Sequence, residues 1–226
     1  MRDRASALAV ALAVALAVVA CSGGAEKNVV NQYFTAVKAN DTNTLTSFAM
    51  VQFDQPVDDW SIVAVGADTR VPAPLPELVK KQKELEAELA KNTREARAWG
   101  NDLSIYPKLE QVRAAEAQGG KVAAALAPIQ EKWQAYNAKD RELKKAVAEA
   151  KSAVERERRN ATLSVGQVED LDTLQGEMIT KDVEIELTSR GETKPYTMTL
   201  RKYELTGGSG PRMVARWVVQ SLTPKS

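Results

Sequence analysis

Any chemistry done by this chain is done without histidine: none occurs, and cysteine occurs once, at position 21. That excludes Ser-His-Asp and Cys-His nucleophilic catalysis, structural zinc sites of the usual kind and intramolecular disulfides. A general base would have to be a carboxylate such as Asp41, Asp54, Asp58 or Asp59. Asp58 and Asp59 are adjacent, so they can be read as an acid–base pair, as a cation site, or as a solvated pair at a strand entrance. Asp41 stands where a helix cap is expected. Arg156, Arg158 and Arg159 form a basic cluster suited to phosphate or lipid headgroups. Glu155 and Glu157 alternate with them, however, and cations at a helix C-terminus are favourable in their own right. No catalytic residue, metal ligand or cofactor is assigned, and the chain is read as non-catalytic.

Six aromatic residues form the other set with binding potential: Tyr33, Phe34, Phe48, Trp60, Tyr203 and Trp217. They can line a cavity for a small apolar ligand, or fill the core that a small α+β domain must bury. Lys and Arg total 31 against 30 Asp and Glu, which leaves no charge excess to attract nucleic acid. Charged residues make up 27% of the chain and aromatics 5%, a composition nearer to solvated helices than to a compact enzyme.

The N-terminus reads as an address. Met1-Arg-Asp-Arg4 is a basic start, and a small and apolar run from Ala5 to Ala20 leads into Cys21-Ser22-Gly23-Gly24. The run is short of the roughly 20 residues that span a bilayer, but it suits a signal peptide. Val18-Val19-Ala20-Cys21 resembles the lipobox of bacterial lipoproteins, with Val18 where that family usually has Leu. The resemblance implies that residues 1–20 are a signal peptide, that Cys21 is lipidated, and that 21–26 form a tether. It also implies that Ser22 directs the protein to the outer membrane, facing the periplasm, in a Gram-negative cell. Several acyl chains hold a protein at a membrane where one does so only marginally.

The remaining chain divides into a head, 27–75 and 161–226, and a helical arm, 76–160. The border at Val71-Pro-Ala-Pro-Leu-Pro76 is rich in proline, and the residues after it are strong helix formers. From Glu77 to Asn160 there are 18 basic and 14 acidic side chains, so the arm is positive. Leu78, Leu85, Leu89, Ala96 and Trp99 fall on one stripe. Ile129, Trp133, Tyr136, Asp140, Leu143, Val147, Ala150 and Val154 repeat at the alternating spacing of four and three that a coiled-coil seam needs. An antiparallel hairpin turning at Gly119-Gly120 would pair Leu85 with Val154, Leu89 with Ala150, Ala96 with Leu143 and Trp99 with Asp140. A turn in the break from Gly100 to Pro107 would give three helices instead. A charge at a seam position costs stability unless paired, so Asp140 either meets Arg97 or the Trp99 indole within the hairpin or marks a partner contact.

In the head, Val29, Val30, Tyr33, Phe34 and Val37 outline an amphipathic helix, and a second short helix carries Leu45, Phe48 and Ala49. Asp59–Val65 alternates as a strand. Val168–Glu177 reads as irregular, and three strands follow, built around Val183–Leu187, Tyr196–Leu205 and Met213–Val219. The inward face changes between Leu200 and Tyr203, which predicts a bulge near Arg201-Lys202. The fold class is therefore α+β: two helices on a curved antiparallel sheet, interrupted by a long helical coiled-coil hairpin. Tyr33-Phe34-x-Ala36-Val37-Lys38-x-Asn40-Asp41, the Trp-bearing strand and the closing Arg216-Trp217-Val218-Val219 resemble the nuclear-transport-factor-2-like superfamily. That resemblance implies a cone with an apolar pocket between sheet and first helix. It does not carry function across. The expected function is that of a lipid-anchored envelope protein whose arm binds another envelope protein. The alternatives are an apolar-ligand binder using the head and, more remotely, a carboxylate-dependent enzyme.

Overall fold

A computed structural model describes residues 24–206 and 215–225. The signal peptide, Cys21, the Gly207–Gly210 connection and Met213 lie outside the described residues. The fold is α+β, with two compact units: 24–73 with 159–225, and Pro74–Arg158. The two borders lie within two residues of those read from composition.

The head begins with α1, Gly24–Lys38, so the helix starts inside the stretch read as a tether. Spacing of three and four puts Val30, Tyr33, Phe34 and Val37 on one buried stripe. Asn40, in the left-handed region at φ 54°, turns the chain. Asp41 then caps α2, Thr42–Phe48, by accepting from the Thr44 amide at 3.0 Å. The sheet holds β1, Asp59–Val65; β2, Thr69–Pro72; β3, Gln175–Ser189; β4, Glu192–Thr206; and β5, Val218–Pro224, all antiparallel. Strand order is β1-β3-β4-β5, and β2 takes the part of the β3 edge that β1 leaves free. Arg190 and Gly191, both at positive φ, join β3 to β4 in the two-residue turn that matches strand twist.

Two sequence expectations need correction here. The strand read from Val183 begins at Gln175, so most of the segment's end is ladder and not irregular return. The bulge at Arg201-Lys202 is absent: β3 pairs with β4 residue by residue from Gln175↔Thr206 to Ser189↔Glu192. β4 changes its buried face because the sheet is covered on different faces along its length. Met198 and Leu200 join the core with α1, whereas Tyr203 lies on the opposite face, its amide donating to Ser164 Oγ at 3.1 Å. The register shift is instead in the β4–β5 pairing, between Thr199 and Leu200.

The core joins Val30, Tyr33, Phe34 and Val37 to Val183, Ile185 and Leu187 of β3, Met198 and Leu200 of β4, and Trp217 and Val219. Tyr33 and Phe34 meet edge to face at 5.2 Å. Burial pushes the Tyr33 phenol from 10.0 up to about 12. The folded state thus holds this proton more tightly than the unfolded chain does. The resulting stability, about 3 kcal/mol, is present below pH 10 and is lost as pH rises toward 12. Alkaline titration followed at 295 nm should show a late ionisation coincident with unfolding, and Tyr33→Phe should remove it.

The second unit contains α3, Leu75–Gly100; α4, Tyr106–Ala117; and most of α5, Ala127–Val165, which continues into the head. Partners on α5 descend as α3 advances: Glu86 pairs with Lys151, Glu88 with Lys139, Asn92 Nδ2 donates to the Tyr136 carbonyl, and Trp99 stacks on Tyr136. The helices are therefore antiparallel, with the seam inward. Leu143, Val147 and Val154 are buried, and Leu85, Leu89, Ala96, Trp99, Trp133 and Tyr136 are half-buried. The expected register is corrected along the seam: Glu88 meets Lys139 and Asn92 the Tyr136 carbonyl, where that register would have set Lys151 and Val147 against them, and Trp99 meets Tyr136, one turn before Asp140. Both proposed reversals are used, at 101–105 and 118–123, with α4 between them. The chain is thereby free of the single tight turn that would have set Trp99 against a carboxylate.

Candidate functional site

A concavity lies within the helical unit, where α3 ends, α4 begins and α5 passes. Its volume is about 250 Å³, and its walls are Asn92, Thr93, Ala96, Arg97, Gly100 and Asn101 from α3 and its cap, Tyr106 and Arg113 from α4, and Trp133, Tyr136, Asn137 and Asp140 from α5.

Local sequence builds it. α3 stops at Gly100, with the Asn101 amide bonded to the Arg97 carbonyl at 2.9 Å. Asp102 organises the next turn by accepting from the Ser104 amide at 2.8 Å and hydroxyl at 2.5 Å, bonds that hold its carboxyl below the usual range. Pro107 in the first turn then suits the start of α4. Gly100 permits the close approach of α4: a Cβ there would lie 3.2 Å from Leu109 Cδ2. Leu109 and Val112 are fully buried, and Glu116 accepts from Gln130 and Gln134 at 3.0 and 2.9 Å, fixing α4 to α5.

Two indole rings of this unit, Trp133 in the cleft wall and Trp99 outside it, sit beside cations. The Arg113 guanidinium lies 4.3 Å from the centre of Trp133 and pairs with Glu110, and Lys132 lies over Trp99 at 5.2 Å. Asp140 pairs with Lys144 at 2.8 Å, so neither Arg97 nor Trp99 neutralises it as the sequence suggested. Arg97 is exposed and has no ion pair among the described residues. Asn92, only 3% exposed, was not singled out from sequence. The signal was present, because Asn92 falls between Leu89 and Ala96 at the seam spacing, and a polar residue there constrains register.

In the head, the six rings read as a possible pocket do not enclose one. Tyr33, Phe34, Phe48 and Trp217 are core residues, Trp60 packs against them, and Tyr203 is on the other sheet face. The Trp60 indole donates to Asn31 at 3.0 Å. The carboxylates considered for catalysis are dispersed among local tasks. Asp41 caps α2, Asp58 Oδ2 accepts from the Gly191 amide at 3.0 Å, and Asp59 accepts from the Trp60 amide at 2.9 Å. Asp54 lines a polar hollow of about 360 Å³ with Lys38 and Asn40. Arg158 pairs with Glu155 one turn away, so the arginine cluster is partly neutralised by its own helix.

Sequence patterning also missed an ionic cluster in the head. Lys181, 6% exposed at its side chain, binds Glu26 at 2.6 Å and Asp68 at 2.9 Å. Burial pulls the Lys181 pKa down, but Asp68 and Glu26 outweigh it and the net direction is upward. The Lys181 bond and charge correspondingly hold Asp68 low against burial. Arg70 extends the cluster to Glu177 and Glu204 at 2.9 and 3.1 Å, and Lys202 lies 4.7 Å over Trp217. Every cation named here has a carboxylate partner, so the cluster ties α1 to the strands. No helix among the described residues is long and apolar enough to cross a membrane. No protein-family model, curated protein or solved structure matches this chain.

Proposed function

We propose that this is a lipid-anchored, non-catalytic protein of the cell envelope, and that its helical arm docks another envelope protein through the cleft of α3, α4 and α5. One observation carries the docking reading. Leu103, in the connection between α3 and α4, is 94% exposed, and Tyr106, three residues on, is 50% exposed while lining the cleft. Single exposed apolar residues are ordinary. An exposed leucine beside an exposed tyrosine that also lines a concavity has the makeup of an interface anchor.

The anchoring part rests on the lipobox-like run ending at Cys21. Because α1 starts at Gly24, only Ser22 and Gly23 separate that cysteine from the helix, a reach of about 10 Å at full extension. An acylated Cys21 would keep the head against its membrane.

In-cell photocrosslinking tests this. A photoreactive residue at Leu103 or Lys108 should give one dominant adduct, and the same residue at Lys145, which is exposed elsewhere on α5, should give little. Equal yields at all three positions, or none with lipidation and expression verified, would overturn the proposal.

A further inference from the structure

The cleft has a recognisable chemical preference. Its one guanidinium without an ion pair among the described residues belongs to Arg97. Guanidinium and carboxylate match as a planar, bidentate pair. Asn101 and Asn137 line the same space, and each side-chain amide offers both a donor and an acceptor, as a peptide bond requires. Tyr106 and Trp133 supply ring surface for a side chain. Asp140 would repel an anion, but it is already held by Lys144 at 2.8 Å. The unit from Pro74 to Arg158 has 17 basic and 14 acidic side chains, which favours a negatively charged partner over a cationic one.

Size narrows the ligand further. A volume of about 250 Å³ is under the roughly 300–1,000 Å³ of typical small-molecule sites and suits a residue or two of peptide. A chain end needs only one way out of such a space. It also places its carboxylate one Cα from its last amide, whereas an acidic side chain holds the two apart by its methylene groups. Resting on the docking function proposed above, we infer that the cleft captures the C-terminal carboxylate of the partner's chain. Arg97 receives the carboxylate, the asparagine side chains meet the last peptide bond, and the rings of Tyr106 and Trp133 take the terminal side chain.

The test uses the full-length protein and a random heptapeptide library in two forms, one with free C-terminal carboxylates and one amidated. The free-acid library should be retained and enriched, with binders quenching tryptophan fluorescence saturably, and the amidated library should pass through. For an enriched peptide, Arg97→Gln should weaken binding roughly tenfold or more while Arg97→Lys keeps part of it, in line with a lost charge-assisted bond. Circular dichroism should show both variants as helical as the parent, since Arg97 is exposed and makes no ion pair among the described residues. Equal retention of the amidated library, retention of neither form, or unchanged binding by Arg97→Gln would overturn the inference. The function and this deeper reading can fail separately. A dominant crosslink from Leu103 without free-acid enrichment rejects only the carboxylate, and enrichment without any cellular adduct rejects only the envelope partner.

Discussion

Replacing Lys181 with methionine is expected to destabilise the head by about 3–5 kcal/mol, because it leaves the Glu26 carboxylate buried without its cation. Glu26 is 5% exposed, and its Oε1 takes the Lys181 ammonium at 2.6 Å while its Oε2 is buried with no hydrogen-bond partner. Adding Glu26→Gln to the variant should restore a substantial part of the loss, since an apolar–polar pair lacks the unpaired charge. Urea denaturation followed by tryptophan emission measures both, and a Lys181→Met loss below about 1 kcal/mol would reject the argument. The pH dependence has a definite sign. Asp68 is held below its ordinary 3.8, so its contribution is present above that value and fades as pH falls through the lower folded value. Lys181 is held above 10.5, so its contribution is full below that pH and fades as pH rises through the higher folded value. In Lys181→Met the alkaline dependence should disappear and the acid one should shrink, because Arg70 and Lys202 still act on Asp68.

Gly176→Ala is the second variant with a large expected cost, on the order of 3 kcal/mol. Gly176, the second residue of β3, has φ +147°, and a Cβ there would lie 2.2 Å from the Glu204 carbonyl oxygen and 2.9 Å from the Leu205 Cα. Backbone strain accounts for about 1–3 kcal/mol and displacement of packed backbone for about 1–3 more. The obstacle is main chain of the neighbouring strand, so no side-chain rotation relieves it. Gly191→Ala is the control: its φ of +78° is also positive, but the space beside it is open, and about 1 kcal/mol is expected. Denaturant midpoints compare the two, and equal losses would mean that the steric term is absent.

Local patterns in the chain were enough for much of this architecture. The apolar spacing of Val30, Tyr33, Phe34 and Val37 marks a helix with one buried face, the alternation from Val183 to Leu187 marks a strand, and the four–three spacing from Ile129 to Val154 marks a helical seam. Each is a periodic signal produced by backbone geometry, and backbone geometry is local. The proline-rich border before Glu77 and the helix formers after it mark the insertion for the same reason. Asn92 also obeys the seam spacing, but a polar residue does not register in an apolar pattern.

Other features depend on residues far apart in the chain. Glu26, Asp68 and Lys181 become a single ionic cluster only when α1, the β1–β2 connection and β3 meet, and charges at inward positions break the apolar pattern that sequence reading follows. Tyr203 and Leu205 lie on the opposite sheet face from Met198 and Leu200 because different segments cover the sheet along its length, not because β4 is bulged. The six aromatic rings could have lined a cavity or filled a core, and packing decided for core in the head. The cleft of Arg97, Tyr106 and Trp133 depends on where α4 settles against α3 and α5. The periodicities are set by the chain's own geometry, and so the sequence by itself determined which elements form and where the insertion begins. Which faces, charges and rings come together was decided by the tertiary structure alone, because burial and ion pairing are properties of neighbours in space.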